Sequence, residues 1–334
     1  MTRLRRREFV LGAGAAGLGL LAGCARLAGP APLQAPAPAR LSRIGLLGQS
    51  SAGALSTRDA FFQGLHDSGY VEGQNIAIES RPAPELAPEL VQLPVDVIVV
   101  DGGRAALAAR KATDSIPIVI GFSAIDPVGE GLIASLARPG GNVTGVTANV
   151  QGAQLGAKRF ELLRDALTKF ARVGILWDET DPVHIARWDE IRGAGGTLEL
   201  DSRSLAVRGP GDVAAALEAA TNERVDALIV LHNALTQSQR ATIVDGAARG
   251  HLPAMYEYRE WPAAGGLMSY GPSVGAMWYR AAQYVDKILK GAKPADLPVE
   301  QPMLFEFVIN LKTAQALGLT IPQHVLIQAT EILQ

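Results

Sequence analysis

Arg43-Ile44-Gly45-Leu46-Leu47 is followed about fifty residues later by Val95-Asp96-Val97-Ile98-Val99-Val100. In the second half of the chain the pair returns, at the same spacing, as Arg172-Val173-Gly174-Ile175-Leu176 and Val225-Asp226-Ala227-Leu228-Ile229-Val230. Each is a short apolar run with little polar alternation, the pattern of a strand covered on both faces in a parallel sheet. A third run closes each series: Ile116-Pro117-Ile118-Val119-Ile120 in the first, Leu252-Pro253-Ala254-Met255-Tyr256 in the second. Helix-like segments such as Asp59 to Ser68 and Arg104 to Thr113 lie between them. This alternation predicts an α/β fold, and its recurrence predicts two similar lobes with parallel sheets. The other reading of the echo is that buried parallel strands draw on the same few residues wherever they occur.

The length of 334 residues suits two compact lobes better than one open sheet. Residues 42–146 with about 274–297 are expected to form the first lobe. Residues 147–273 with about 298–334 form the second. A helix over Met277 to Leu289 ends at Lys290-Gly291, with Pro294 beyond, and extended Phe305-Glu306-Phe307-Val308-Ile309 follows. This tail is expected to cross between the lobes, giving a hinge of several strands. Open α/β sheets bind ligands beyond the carboxyl ends of their strands, so the site is expected on loops that face each other across a cleft.

The amino-terminal segment is read separately. Arg5-Arg6-Arg7 precedes an apolar, Gly/Ala-rich run from Phe9 to Gly23, too short for a permanent membrane span. Residues 1–23 therefore read as a signal peptide, and Arg6-Arg7-Glu8-Phe9-Val10-Leu11 also fits a twin-arginine export signal. The segment ends Leu21-Ala22-Gly23-Cys24, which resembles the lipobox of bacterial lipoproteins. Cys24 would then carry the lipid and become the mature amino terminus. Residues 24–41, with Pro30, Pro32, Pro36 and Pro38, read as a tether between anchor and fold. Gly12-Ala13-Gly14-Ala15-Ala16-Gly17 matches the spacing of a dinucleotide fingerprint, but no strand precedes it, so no nucleotide site is expected there.

Composition excludes several functions. Without Arg3, Arg5, Arg6, Arg7 and Glu8 the formal charge of −2 becomes −5, and no basic stripe suited to nucleic acid remains. Cys24 is the single cysteine, which rules out a disulfide framework and a cysteine-based metal site. His66, His184, His232, His251 and His324 are scattered without metal-ligand spacing, and no nucleophile elbow, P-loop or zinc-protease motif occurs. No enzyme, cofactor or metal is therefore expected.

Several stretches together resemble the family of ABC-transporter substrate-binding proteins that includes the tryptophan- and tyrosine-binding lipoproteins. They are Phe61-Phe62-Gln63-Gly64-Leu65 with Gly69-Tyr70-Val71-Glu72-Gly73-Gln74-Asn75, and Asp126-Pro127-Val128-Gly129 leading to Ser135-Leu136-Ala137-Arg138-Pro139-Gly140-Gly141-Asn142-Val143-Thr144-Gly145. Later come Gly265-Gly266-Leu267-Met268-Ser269-Tyr270-Gly271, the run Ile288 to Val299, and Asn310-Leu311-Lys312-Thr313-Ala314. The resemblance implies a type I periplasmic-binding clamp that works as a monomer on the periplasmic side of a membrane. It implies capture of a small molecule, aromatic or other amino acids among the candidates, and delivery to an ABC permease. A ligand-sensing subunit that signals to a membrane receptor is the alternative the same clamp allows. Gly102-Gly103-Arg104 stands where the family often has a small hydroxyl residue and proline, and Arg81 to Leu90 is shortened.

The strand-end loops supply the candidate ligand groups. The first lobe offers Gly48, Gln49 and Ser50, then Asp101, Gly102, Gly103 and Arg104, then Ser123, Ala124 and Asp126. If Arg104 opens a helix, the amides at Gly102 and Gly103 can receive a carboxylate with Arg104 as counter-ion; an ordinary tight turn with a solvated arginine is the other reading. Ser123 and Asp126 suit a carboxylate and an ammonium respectively, while Asp126-Pro127 reads equally as a turn. The second lobe offers Trp177 and Asp178, then His232 and Asn233, then Tyr256 and Glu257, with Tyr258, Trp261 and Tyr270 nearby. Trp177 and Tyr256 are the expected aromatic platforms, with core packing as the alternative for each.

Overall fold

The computed structural model describes residues 41–48, 55–150, 154–167 and 169–334. The expected signal peptide, Cys24, Gln49 and Ser50 lie outside them. The first sheet contains β1 (Ser42–Gly48), β2 (Ile76–Arg81), β3 (Val97–Asp101), β4 (Ile118–Phe122) and β5 (Val143–Gly145), all parallel, in the order β2-β1-β3-β4-β5. Helices α1 (Leu55–Asp67), α2 (Ala87–Leu90) and α3 (Gly103–Ala112) connect these strands.

The second half of the chain forms α4 (Gln154–Ala166), β6 (Arg172–Asp178), α5 (Pro182–Thr197), β7 (Asp201–Val207), α6 (Val213–Asn222), β8 (Ala227–Val230), α7 (Ala234–Ser238), α8 (Arg240–Arg249), β9 (Ala254–Tyr256), α9 (Glu260–Ala263) and β10 (Met268–Pro272). Helix α10 (Val274–Leu289) follows, then β11 (Phe305–Asn310), α11 (Leu311–Ala316), α12 (Gln323–Leu326) and β12 (Glu331–Leu333). The second sheet runs β12-β11-β10-β9-β8-β6-β7, parallel except for the antiparallel pair β10 and β11. Its stretch β7-β6-β8-β9-β10 has the connectivity of β2-β1-β3-β4-β5, so the repeated runs of sequence occupy equivalent strands of two equivalent sheets.

Both faces of each sheet are covered, which is why β3, β4, β6 and β8 are apolar almost throughout. In the first lobe, Phe61, Trp278, Tyr284 and Val285 pack on one face, and Leu90, Ala105 and Ala109 lie in the cluster on the other. In the second, Phe160, Ile191 and Val325 belong to one cluster, and Leu217, Ile243 and Trp261 to its counterpart.

Helix α10 follows the last parallel strand of the second lobe but packs against α1 and β4 of the first. It begins a turn before the Met277 expected from sequence, because the Ser273 Oγ accepts the Ala276 N–H and caps the helix at Val274. The chain returns to the second sheet from Val299 to Phe305, pinned on the way by the Thr147 N–H bond to the Glu300 carbonyl and by Arg280, whose guanidinium grips both Glu300 oxygens at 2.7 Å. With the passages from β5 to α4 and from β10 to α10, the hinge is built of several strands.

Candidate functional site

The strand order reverses beside β1 and β3 in the first sheet and beside β6 and β8 in the second, which opens a crevice at the carboxyl ends of those strands. A cavity of about 570 Å³ lies between the lobes at these ends. Two glycines shape its first-lobe floor. At Gly48 (φ 132°) a Cβ would lie 2.3 Å from the Asp101 carbonyl, and Gly102 turns the chain into α3 at φ 94°, a backbone shape that disfavours any side chain. Pairing of β3 with β4 shifts between Val100 and Asp101, so that Asp101 lies opposite Phe122 and Gly121 is the extra residue. A Cβ on Gly121 would lie 2.6 Å from the Trp278 ring, so glycine there admits both the bulge and the close approach of the crossing helix.

Gly102, Gly103 and Arg104 border the cavity, and no side chain caps the amino end of α3. The Arg104 side chain is 78% exposed and turns outward to Glu85 at 3.1 Å, so it is not directed at the cavity as a counter-ion. Asp178, His232 and Asn233 border the cavity from the second lobe. Asn233 Nδ2 donates to Asp178 Oδ2 at 2.9 Å and to Asp181 Oδ2 at 3.0 Å, while Asp178 Oδ1 accepts from the Thr180 amide and hydroxyl. Burial works against the Asp178 charge, but these bonds from Thr180 and Asn233 hold its carboxyl below the usual carboxylate range. His232 meets Phe122 edge to face at 6.2 Å and Tyr258 at 4.7 Å, and its buried Nδ1 has no partner. Burial pulls its imidazole down to about 4, so it is neutral at neutral pH.

Ser123, Asp126, Trp177, Tyr256 and Glu257 are placed away from the cavity wall. Ser123 is buried in a turn, where its Oγ accepts the Ile125 N–H and its carbonyl accepts Ala148 N–H. Asp126 Oδ1 accepts the Val128 N–H, the turn that Asp126-Pro127 left open in the sequence. Trp177 stacks on Trp188 at 5.5 Å and donates to Ser204 Oγ, so its ring belongs to the covered face of the sheet. Tyr256 stacks on Trp261 at 4.7 Å within the other cluster. Neither expected platform borders the cavity; the flat faces that a ligand would need are taken by neighbouring tryptophans. Glu257 is 1% exposed and faces Arg159 and Arg187 instead of a ligand.

The aromatic wall is formed by Phe122, Tyr258 and Trp278, with Ile125 and Val274. Phe122 of the first lobe meets Tyr258 of the second edge to face at 5.5 Å, so the lobes touch beside the cavity. Two further carboxylates line it: Asp101 at the end of β3, offered by the sequence as a strand-end group, and Glu260 at the start of α9, which it did not offer. Burial, and then the charge of Glu260, push the Asp101 carboxyl up to about 7. Burial likewise raises Glu260, opposed by Arg240 and Arg259 and reinforced by Glu306. The signal for Asp101 was present in the sequence, as the first polar residue after a wholly apolar strand. Phe122, Glu260 and Trp278 have no such signal, since a bulge, a one-turn helix and the crossing helix bring them in.

Two sheets of matching topology, a multi-stranded hinge and a cavity at the facing strand ends define a two-lobed ligand-binding clamp of the type I periplasmic-binding class. Residues 50–333 match the family model described as ABC transporter substrate binding protein, and the chain belongs to that family. Its members are binding proteins, not enzymes. A tyrosine-binding protein of Clostridioides difficile (strain R20291) is 25% identical over 269 residues, covering 78% of this chain and 76% of its own. Among solved structures, the ABC domain in complex with L-Trp from Streptococcus pneumoniae is 26% identical with a TM-score of 0.78, covering 88% of this chain and 100% of that one. The ligand-free, open structure of a substrate-binding protein with adhesive properties from Clostridium difficile shares the fold at 22% identity and a TM-score of 0.67, covering 88% and 99%.

Proposed function

We propose that this chain is an exported lipoprotein, anchored through Cys24, that captures an amino acid with an aromatic or other apolar side chain by closing its two lobes and hands it to an ABC permease. Family membership supports extracytoplasmic capture of a small solute for ABC transport. Relatives described with tyrosine and with L-Trp support an aromatic amino acid. The observation that carries the reading is the interlobe cavity of about 570 Å³, whose wall joins Phe122, Tyr258 and Trp278 to polar groups supplied by both lobes. A volume in that range suits a small molecule held by an apolar body and a few fixed polar contacts. We assign ligand contact to Gly102, Gly103, Asp178, His232 and Asn233, sequence-based residues that border the cavity; Arg104 would have to leave Glu85 first. Closure brings the lobes onto the ligand from both sides, and the closed form is what a permease can distinguish from the open one.

A thermal-unfolding screen of the protein against the common amino acids tests the reading. A cognate ligand at a hundred times its dissociation constant should add about 2.7 kcal/mol of stability, with tyrosine and tryptophan strongest. Absence of a shift with every amino acid would overturn amino-acid capture. In the same preparation, the wild-type chain should fractionate with membranes and Cys24→Ala should not; equal fractionation would remove the anchor.

A further inference from the structure

We propose that one protonated amine on the ligand is shared between the lobes, held by the Asp101 carboxylate of the first and the Glu260 carboxylate of the second, and that this cationic centre is what closes the cleft. The inference rests on the reading of the cleft as the solute site and names the group that site selects.

Four carboxylates line the cavity: Asp101, Asp178, Asp181 and Glu260. Two are already committed. Asp178 is bonded by Thr180 and Asn233, and Asp181 accepts the Val183 N–H at the start of α5 and a second bond from Asn233. Asp101 and Glu260 accept no hydrogen bond from the side chain of another described residue. The one cationic side chain on the cavity wall among the described residues is Arg104, and it is turned to Glu85. Arg240 and Arg259 act on Glu260 from outside the cavity, but Arg259 is spent on a two-pronged bond to Glu331. The Asp101 and Glu260 carboxyls of opposite lobes thus share one cavity, each disfavoured as a charge by burial and only Glu260 eased by arginines outside it, a cost that a ligand cation between them removes.

A second observation points to a ligand at the same place. Tyr258 is only 3% exposed and lines the cavity, yet its hydroxyl bonds to no described residue. The ring is buried while the hydroxyl opens on the cavity, where a ligand or water can complete it; the His232 Nδ1 on the same wall is buried and has no partner. Phe122, Tyr258 and Trp278 line the same space, and aromatic rings beside carboxylates are a favourable setting for an ammonium, which the ring quadrupole also attracts. The amine, more than the carboxylate, is then the obligatory part of the ligand. Decarboxylated amines should bind, and des-amino acids should not.

Calorimetric titration of the protein with L-tyrosine, tyramine and 3-(4-hydroxyphenyl)propionate separates the two ends of the ligand. Loss of the amine should weaken binding by about a hundredfold or more, and loss of the carboxylate by about tenfold or less. Asp101→Asn and Glu260→Gln preserve shape while removing a crowded charge. Each should leave thermal stability equal or higher and weaken tyrosine and tyramine by about tenfold or more. If tyrosine binds and the propionate binds as tightly, or if both variants keep wild-type affinity, the shared amine site is overturned while amino-acid capture stands. If no amino acid binds but tyramine does, and Glu260→Gln abolishes it, amino-acid capture fails and the amine site stands. If neither amino acids nor tyramine and tryptamine bind, both are overturned.

Discussion

Glu257 sits between Tyr256 and Tyr258 and faces away from the ligand space on which Tyr258 opens. Arg159 Nη1 donates to Glu257 Oε1 at 2.7 Å, Arg187 Nη1 reaches its two oxygens at 3.1 and 2.8 Å, and Arg159 Nε donates to the Tyr270 carbonyl at 2.9 Å. Burial alone would raise the Glu257 carboxyl, but Arg187 and then Arg159 outweigh it and hold the group well below the ordinary carboxylate range. A depressed carboxyl contributes stability that is fully present above its unfolded value, roughly 4.3, and lost as pH falls through the lower folded value. Glu257→Gln leaves two buried guanidinium groups facing one neutral amide and should cost about 3–5 kcal/mol. Urea unfolding at neutral pH checks the size, and the gap between variant and wild type should narrow in acid; a gap that stays constant would assign the loss to packing. The alternation of Tyr256, Glu257 and Tyr258 shows what the sequence offered at this scale. Strand ends were legible from apolar runs and so was the neighbourhood of the site. Which of three consecutive side chains reaches past the sheet was not, because it depends on Trp261 covering Tyr256 and on the arginines of α4 and α5 drawing Glu257 aside.

Among the elements, α10 has the decisive position, since it carries Val274 and Trp278 to the cavity while its body is bound to the first lobe. Its approach to α1 depends on Gly64, where a Cβ would lie 2.8 Å from both the Ala282 Cβ and the Tyr279 carbonyl oxygen. Neither atom is the end of a flexible side chain, so the helices must separate to admit a methyl group. Gly64→Ala should therefore cost about 1–3 kcal/mol, against the small gain that alanine usually brings to a helix interior. Denaturant midpoints at unchanged slope would read this out, and a variant as stable as wild type would show that α1 and α10 can shift freely. Helix α10 was legible because apolar residues recur at helical spacing from Met277 onward, and its cap lay hidden in a single serine. Strand β7 was not legible: its first residues are mostly exposed, as an edge strand permits, and the sequence Asp201-Ser202-Arg203-Ser204 has no strand signature.

For the whole molecule, the echo of sequence proved to be an echo of topology, because strands buried on both faces have few residues to choose from and must be joined by right-handed crossovers. What the echo cannot carry is the meeting of the lobes, where Asp101 and Glu260 come together. With the lobes in contact through Phe122 and Tyr258, burial first and the Glu260 charge second raise Asp101 from the ordinary value of about 3.9 to about 7. When the lobes part, water returns to the carboxylate and its affinity for a proton falls. The closed form therefore binds more protons, and acidification favours it. A raised carboxyl contributes stability that is fully present below the ordinary value and lost as pH rises through the raised one, so the sensitive window ends near pH 7. Glu260 shifts in the same direction, raised by burial and by Glu306 against its own backbone N–H and the charges of Arg240 and Arg259, and His232 stays neutral because burial holds it at about 4. Without ligand, X-ray scattering should give a smaller radius of gyration at about pH 6 than at about pH 8. An amine ligand must displace that proton, so its affinity should fall by roughly tenfold across the same interval. Asp101→Asn should abolish most of both responses, since a neutral side chain neither repels Glu260 nor takes up a proton. Should the variant compact and lose affinity on acidification as the wild type does, the proton acts elsewhere, and Asp101 is not the group that couples charge to closure.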